Sequence, residues 1–324
     1  MKDLYQTSFE NQQLLIAKQA ELADSIRNST LPGLIGNVLN KIDADLKDNP
    51  QRKLSDETID RITALCFIAK PYMTPEGDSL STTKVSPERG QLLLFLSGMN
   101  IDSVSMQKIK QSASFAGADL READLIGIDL SGINLKGANL KGANLQNANL
   151  TAANLSFANL WGTNLNKTNL KESNLKRVVL SWADMNESNL TGANLHEADL
   201  VSAQMRKAIL RGAFLQWADF SGAFLNEADM ANTDLFRATL KRAQLLKANM
   251  SGSIMTYAII SEANLIEANL SGSDLTNLII SEQHWLTLLN DWKVTGAKEI
   301  QSNYKIVEAF SYEGSKYQLN KLEQ

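Results

Sequence analysis

Few side chains in this 324-residue chain are placed for covalent chemistry. His196 and His284 are its only histidines and lie far apart in sequence. Glu197 and Asp199 follow closely after His196, but a metal centre needs several convergent ligands, and this spacing offers none. Cys66, the single cysteine, sits in the apolar run TALCFIA and reads as a small core residue rather than a nucleophile. No Gly-rich phosphate loop, H-E-x-x-H or G-x-S-x-G motif occurs. The expectation is therefore no catalytic, cofactor-binding or metal-ligating residue, and no enzyme. The chemistry that does recur is that of recognition. Phe157, Arg177, Glu197, Trp217, Arg237 and Tyr257 follow one another at intervals of 20, with His196, Phe214, Gln216, Phe236 and Ile254 beside them. Arg over an aromatic ring is worth roughly 0.5–1 kcal/mol when exposed, and Trp, Tyr and Arg dominate interface hot spots. Phe157, Arg177, Phe214, Trp217, Phe236, Arg237 and Tyr257 thus form the candidate protein-binding patch. The competing reading is a stacking ladder that only stiffens its support. Basic residues there are too few for a nucleic-acid groove.

An interval of 20 brings side chains together only if the backbone returns on itself every 20 residues. The sequence supplies such a backbone. Every residue whose number is a multiple of five, from Phe115 to Ile280, is Leu, Phe, Met or Ile: 34 positions, 25 of them Leu. Two residues earlier stands Ala, Ser or Thr in 30 of the 34 units. A period of five fits neither a helix nor a flat strand, so the chain must turn a corner every five residues. In the unit Ala138-Asn139-Leu140-Lys141-Gly142, Leu140 and Ala138 point inward and Asn139 outward. The fifth slot is Gly in 11 units and Asn in three, residues that tolerate the positive φ of a type II turn. Four units close a coil, and coils stack at roughly 4.8 Å, so 34 units make about 8.5 coils and a rod roughly 40 Å long. Ile128, Ile133, Val178 and Leu278 put large groups in the small slot, where the corners are expected to bulge. Three of the four lie near the ends, as capping repeats would.

Units such as Ala143-Asn144-Leu145, Ala148-Asn149-Leu150, Ala193-Asn194-Leu195 and Ala198-Asp199-Leu200 match A(D/N)LXX, and 23 of 34 units carry Asn or Asp before the central residue. Over 113–282 the chain resembles the pentapeptide-repeat proteins. The resemblance implies a mainly β fold, a right-handed quadrilateral β-helix. The stretches LSDETIDRITAL, SPERGQLLL and DWKVTGAKEIQ are similar to bacterial members of that family, some of which carry membrane helices ahead of the coils.

The remainder divides into an α-helical N-terminal region and cap, 1–112, and a C-terminal cap, 283–324. Helices are expected over Ser8 to Arg27, over Leu31 to Leu46 with Pro32 in the first turn, and after an N-cap at Ser55. The third should stop before Pro71. Thr74 to Val85 reads as a loop. A fourth helix follows Ser86-Pro87-Glu88, and a fifth covers Ser103 to Gln111. Trp285, Leu286, Leu288, Leu289 and Trp292 form a helix over the last coil. Tyr304 to Leu322, broken at Glu313-Gly314, forms a hairpin. No signal peptide and no apolar run of membrane-spanning length appears.

The columns give the outside of the rod. Lys167, Glu187, Lys207, Glu227, Lys247 and Glu267 alternate in sign along one corner and read as a self-neutralising face. Trp161 and Trp182 project from the neighbouring face and are available to pack on an N- or C-terminal extension. The outward slot is apolar at Val179, Ile209, Phe214, Phe224, Ile254, Ile259 and Ile279, and Val179, Ile259 and Ile279 share a face that a terminal segment would cover. The resulting expectation is a non-enzymatic scaffold that presents a rigid β-helical surface to a protein partner. No small-molecule substrate or direct nucleic-acid contact is expected. A dimer through the terminal regions is a further reading. Net charge −4 implies no general attraction to nucleic acid or anionic lipid, and the single cysteine fits a reducing compartment, so the expected place is the cytoplasm, with peripheral membrane association as the other reading. The resemblance implies one alternative, a DNA mimic acting on a topoisomerase, DNA gyrase. Residues 113–282 carry 17 Asp or Glu against 14 Lys or Arg, far less negative charge than a duplex of that length. A membrane-associated accessory protein is the other alternative.

Overall fold

The computed structural model describes residues 29–76, 79–308 and 317–322. Its elements run α1 (29–46), α2 (Asp56–Ile68), β1 (Tyr72–Glu76), β2 (Ser79–Val85), α3 (Pro87–Gly98), α4 (Ser103–Ser112), the coils, β3 (Ile279–Ile280), α5 (Trp285–Asp291), α6 (Ala297–Asn303), β4 (Tyr304–Glu308) and β5 (Tyr317–Lys321). The helix expected over Ser8 to Arg27 lies outside the described residues. Two compact units result. Among the described residues, one holds 29–69 with Gly98–Ala113, and the other holds Lys70–Ser97 with the coils and the C-terminal elements after them.

In the helical unit, α1 buries Leu31, Val38, Ile42 and Leu46 at helical spacing. Ser55 N-caps α2, its Oγ accepting from the Thr58 N–H at 3.3 Å. Asp45 of α1 ties that cap down, accepting from the Ser55 N–H at 2.8 Å, Ser55 Oγ at 2.6 Å and Thr58 Oγ1 at 2.5 Å. Burial opposes ionisation of Asp45, but these hydrogen bonds and the Lys41 charge outweigh it and lower its pKa from 3.8 to about 2. Asp102 caps α4 through the Val104 and Ser105 N–H groups. Ile59, Ile62, Leu65, Cys66 and Ile109 are all buried in this unit.

In the coiled unit, the described residues of the stretch Thr74 to Val85, expected as a loop, lie in two paired strands. β1 and β2 pair antiparallel from Tyr72↔Val85 to Glu76↔Ser79, with an irregularity between Met73 and Pro75. The breakers mislead because Pro75 falls at that irregularity, while Thr82, Thr83 and Val85 favour an extended chain. Ser86 leaves the hairpin as the first rung of the rod. Its N–H donates to Gly117 O at 2.6 Å and its C=O accepts from Asp119 N at 3.0 Å. Its Oγ caps α3 at Arg89 N, 3.2 Å, and the Arg89 guanidinium donates to the Ala116 carbonyl. α3 lies so close to the first coil that a Cβ at Gly90 would stand 1.9 Å from Asp119 O.

The coils account for every backbone donor of the unit Ala138–Gly142. Ala138 N closes the turn onto Leu135 O at 3.0 Å. Asn139 N reaches the preceding coil at Ala118 O, 2.9 Å, while Leu140 N and Gly142 N reach the following coil at Asn159 O, 2.7 Å, and Trp161 O, 3.0 Å. The remaining donor, Lys141 N, is taken by the Asn139 side chain at 3.2 Å. The outward Asn or Asp is thus an Asx cap for the corner, which is why it recurs. Parallel bridges join i to i+20 without a break from Asp119 to Ile279, in four columns per coil. Hydroxyls in the small slot find carbonyls: Thr163 Oγ1 donates to Leu140 O at 2.8 Å, and Thr168 Oγ1 to Leu145 O at 2.7 Å. The bulge expected at Val178 does not interrupt the ladder. Val178 is buried, its N–H closes the turn at 3.2 Å, and its carbonyl accepts from Asp199 N at 2.9 Å.

The C-terminal segment finishes the upper edge of the coils. Glu267 N donates to Trp292 O at 2.7 Å, Leu270 N to Thr295 O at 2.9 Å, and Asn277 N to Leu319 O at 2.7 Å. The Leu275 N–H is taken by Tyr304 Oη at 3.1 Å. β4 and β5 pair antiparallel, as expected of the hairpin, and β5 continues from Ile279 to give the sheet order β3-β5-β4. The break expected at Glu313-Gly314 lies outside the described residues. α6 was not anticipated. Gly296, at φ 91°, starts it where a Cβ would meet the Ser271 backbone at 2.8 Å.

Candidate interaction surface

The corner slots that carry the candidate patch are held in one backbone state. All fifth-slot residues from Gly117 to Asn277 have φ between 55° and 69°, and most are not glycine. Trp217, Arg237 and Tyr257 thus leave the rod from equivalent corners one coil apart. Each left-handed side-chain-bearing residue costs roughly 1 kcal/mol or more, which the ladder on either side must offset. In return, long side chains are aimed outward from a rigid edge.

Four of the seven candidate residues meet directly. The Arg237 guanidinium carbon lies 4.6 Å from the Trp217 ring centroid, 5.4 Å from that of Phe236 and 5.5 Å from that of Tyr257. Phe236 meets Trp217 and Tyr257 edge-on, at 6.3 Å and 6.0 Å between centroids. Trp217 is 48 % exposed and Tyr257 42 %. Phe214, 52 % exposed, stands on the face leading into this corner, bridged to Asp234, which is bridged in turn to exposed Ile254. Phe157 and Arg177 form a separate cluster lower on the same column. The Arg177 guanidinium carbon lies 5.9 Å and Lys136 Nζ 5.5 Å from the Phe157 centroid. Arg177 Nε donates to Glu197 Oε2 at 2.6 Å, and His196 Nε2 stands 2.9 Å from Glu197 Oε1. The Arg177 hydrogen bond, against some desolvation, holds the Glu197 carboxyl below its usual range. His196 and Glu197 therefore do meet, as part of a surface ion network.

The other columns are also placed. Lys167–Glu187, Lys207–Glu227 and Lys247–Glu267 pair at 3.7, 3.7 and 3.5 Å, in twos rather than as a continuous ladder. All are exposed and worth little individually. Trp161 and Trp182 remain exposed, with Lys141 Nζ 5.0 Å from the Trp161 ring. Several contacts missed in sequence join residues 19 or 21 apart, such as Trp217 to Phe236, and reading those offsets beside 20 would have exposed them. Away from the patch, one open cleft of about 410 Å³ is lined by Pro87, Gln91, Leu94, Asp119, Arg121 and Glu122. Among the described residues no group of three His, Cys, Asp or Glu could hold a metal ion, and no helix is long and apolar enough to cross a membrane.

The family described as Pentapeptide repeats matches the chain in 8 copies, over residues 113–151, 153–192, 173–212, 213–252 and 243–278. Among solved structures the chain is similar to HetL, a pentapeptide repeat protein involved in heterocyst differentiation regulation from the cyanobacterium Nostoc sp. strain PCC 7120. The two are 31% identical over 52% of this chain and 83% of that one, with a TM-score of 0.45. It is also similar to QnrB1, a plasmid-mediated fluoroquinolone resistance protein, at 14% identity over 52% and 95% of the two chains, TM-score 0.30. A third similarity is to a thylakoid-lumen pentapeptide repeat protein of Arabidopsis thaliana, at 23% identity over 39% and 77%, TM-score 0.26. No curated protein matches the sequence.

Proposed function

This chain belongs to the pentapeptide-repeat family, and we propose that it is a non-enzymatic scaffold whose right-handed quadrilateral β-helix presents one corner to a protein partner. The observation that carries this reading is the cluster of Trp217, Arg237 and Tyr257, exposed on a rigid edge and held together by half-buried Phe236. Trp, Tyr and Arg are the residues that dominate binding energy at interfaces. Preorganisation on a solenoid lowers the ordering cost of association, since these side chains are already held against one another. Phe214 and Ile254 extend the apolar area, and the Phe157–Arg177 cluster lies roughly 20 Å further along the same column by coil spacing.

Crosslinking mass spectrometry in the native cell, with wild-type protein beside a Trp217→Ala, Arg237→Ala double variant, tests the reading. The scaffold model expects a partner crosslinked to the coils in the wild type and lost in the variant. A partner retained by the double variant would remove this corner from the mechanism. The buried single cysteine, Cys66, accords with the cytoplasm as the place of action. Fractionation without detergent checks that, since recovery in the membrane pellet would contradict it.

A further inference from the structure

The six arginines of the coils are not equivalent. Arg121 pairs with Asp119, Arg177 with Glu197, Arg206 with Glu227, Arg211 with Asp229 and Arg242 with Glu262. Arg237 alone has no carboxylate within ion-pair distance among the described residues, and its guanidinium lies against three aromatic rings. The carboxylate of its own repeat is engaged elsewhere. Asp234 Oδ1 accepts from the Phe236 N–H at 3.0 Å, and Oδ2 accepts from Gln216 Nε2 at 2.7 Å. A guanidinium carries five N–H donors in its plane, whereas ring contacts use only its charge and its faces. Arg237 is thus a preorganised cation with donors left over.

We propose that the Arg237 corner is a receptor for a single carboxylate: an Asp or Glu of a protein segment that seats an apolar side chain beside it on Phe214 and Ile254. This rests on the scaffold reading and specifies the chemistry its partner must bring. A guanidinium meets a carboxylate through two parallel N–H···O bonds, and ring contacts at Trp217 and Tyr257 reduce the freedom lost in forming them. The charge count favours one carboxylate over a polyanion. The slots beside Arg237 in its own coil and the two adjoining ones are Phe236, Gln216 and Thr256, none of them cationic. Asp234 stands on the adjoining face and Glu197 two coils below on the same column, so a dianionic phosphate meets more repulsion than a carboxylate.

The test uses the full chain, immobilised, against a phage-displayed random dodecapeptide library. Wild-type protein should enrich peptides with Asp or Glu next to Leu, Phe or Trp. Arg237→Gln should abolish the acidic preference, and Arg237→Lys should restore little of it because the fork is lost. The selected peptide is then compared in solution with its Glu→Gln and Glu→phosphoserine forms. Glu→Gln should weaken binding about tenfold or more, the effect of losing a charge-assisted pair. Arg237 is exposed, so an unchanged melting curve for Arg237→Gln is the folding control. Peptides that need Trp217 but show no acidic preference would sink the carboxylate receptor and leave the scaffold corner standing. Peptides indifferent to both Trp217→Ala and Arg237→Gln, or no enrichment at all, would sink both. Tighter binding of the phosphoserine form would assign the site to phosphate instead.

Discussion

Asn194 shows how one side chain holds a corner of this fold. Its N–H donates to Ser173 O at 2.9 Å, and its Oδ1 accepts the His196 N–H at 3.1 Å. Asn194→Ala should therefore cost about 1 kcal/mol, the usual loss for a side-chain cap, while Asn194→Asp keeps the acceptor and costs little. Denaturant titration of the two variants separates these outcomes, and equal losses would mean the cap is not what the Asn supplies. Gly212 isolates the backbone contribution. Its φ is 64° and nothing lies within 4 Å of an added Cβ, so Gly212→Ala tests conformation without a clash. A loss of about 1 kcal/mol is expected, and no loss would show that the ladder imposes the left-handed state at negligible cost. The eleven glycines made this corner state legible in sequence. Its adoption by Trp217, Arg237 and Tyr257 was not legible, because there the stacked coils, and not residue preference, set the conformation. The joining of Glu197 to both Arg177 and His196 was likewise hidden, since only side-chain reach brings a residue one coil away and a sequence neighbour onto the two oxygens of one carboxylate.

At the level of elements, capping chemistry was the most readable signal. Ser55 and Ser86-Pro87 open α2 and α3 where the sequence places them, because a hydroxyl acceptor and a first-turn proline act locally. The hairpin β1–β2 and helix α6 were missed for the opposite reason. The sequence around each carries proline or glycine, and only pairing across the hairpin, or the close approach of Gly296 to Ser271, makes those residues fit. The α2 cap also carries a pH prediction. Asp45 has a folded pKa lowered from 3.8 to about 2. A depressed carboxylate pKa contributes stability that is fully present above the ordinary value and is lost as pH falls through the folded one. The helical unit should therefore weaken between about pH 4 and pH 2. Helical ellipticity followed during melting across that range is the measurement. Asp45→Asn should reduce the pH dependence, leaving the part that Asp102, Asp56 and Glu57 contribute through their own lowered pKa values, and should cost part of the stability at neutral pH. A variant with the wild-type acid profile would show that other carboxylates dominate.

For the coiled region as a whole, the inward column is the common support of every surface statement. Leu195 is fully buried, and Leu195→Asp would place a carboxylate in an apolar interior with no partner, at a cost of several kcal/mol. Loss of the cooperative melt is expected, and an unchanged melt would overturn the assignment of inside and outside. Solenoid modularity permits a sharper test. Removing the 20 residues 133–152 takes out one full coil and leaves every later column aligned, so binding at the Arg237 corner should survive with a somewhat lower melting temperature. Removing only the unit Ala223–Glu227 keeps the five-residue pattern of large and small inward residues, so the coils should still stack. It turns everything after the cut by one face of four, however. Arg237 and Phe236 then no longer stand above Trp217, although Arg237 and Tyr257 still turn together. The five-residue deletion should thus melt cooperatively yet lose the environment of Trp217 and binding at the corner, and the twenty-residue deletion should lose neither. Indole fluorescence of Trp217, read in a background with the other four tryptophans replaced by Phe, distinguishes the two. Equal behaviour of both deletions would mean that vertical alignment does not build the cluster, and the surface would have to be reassigned.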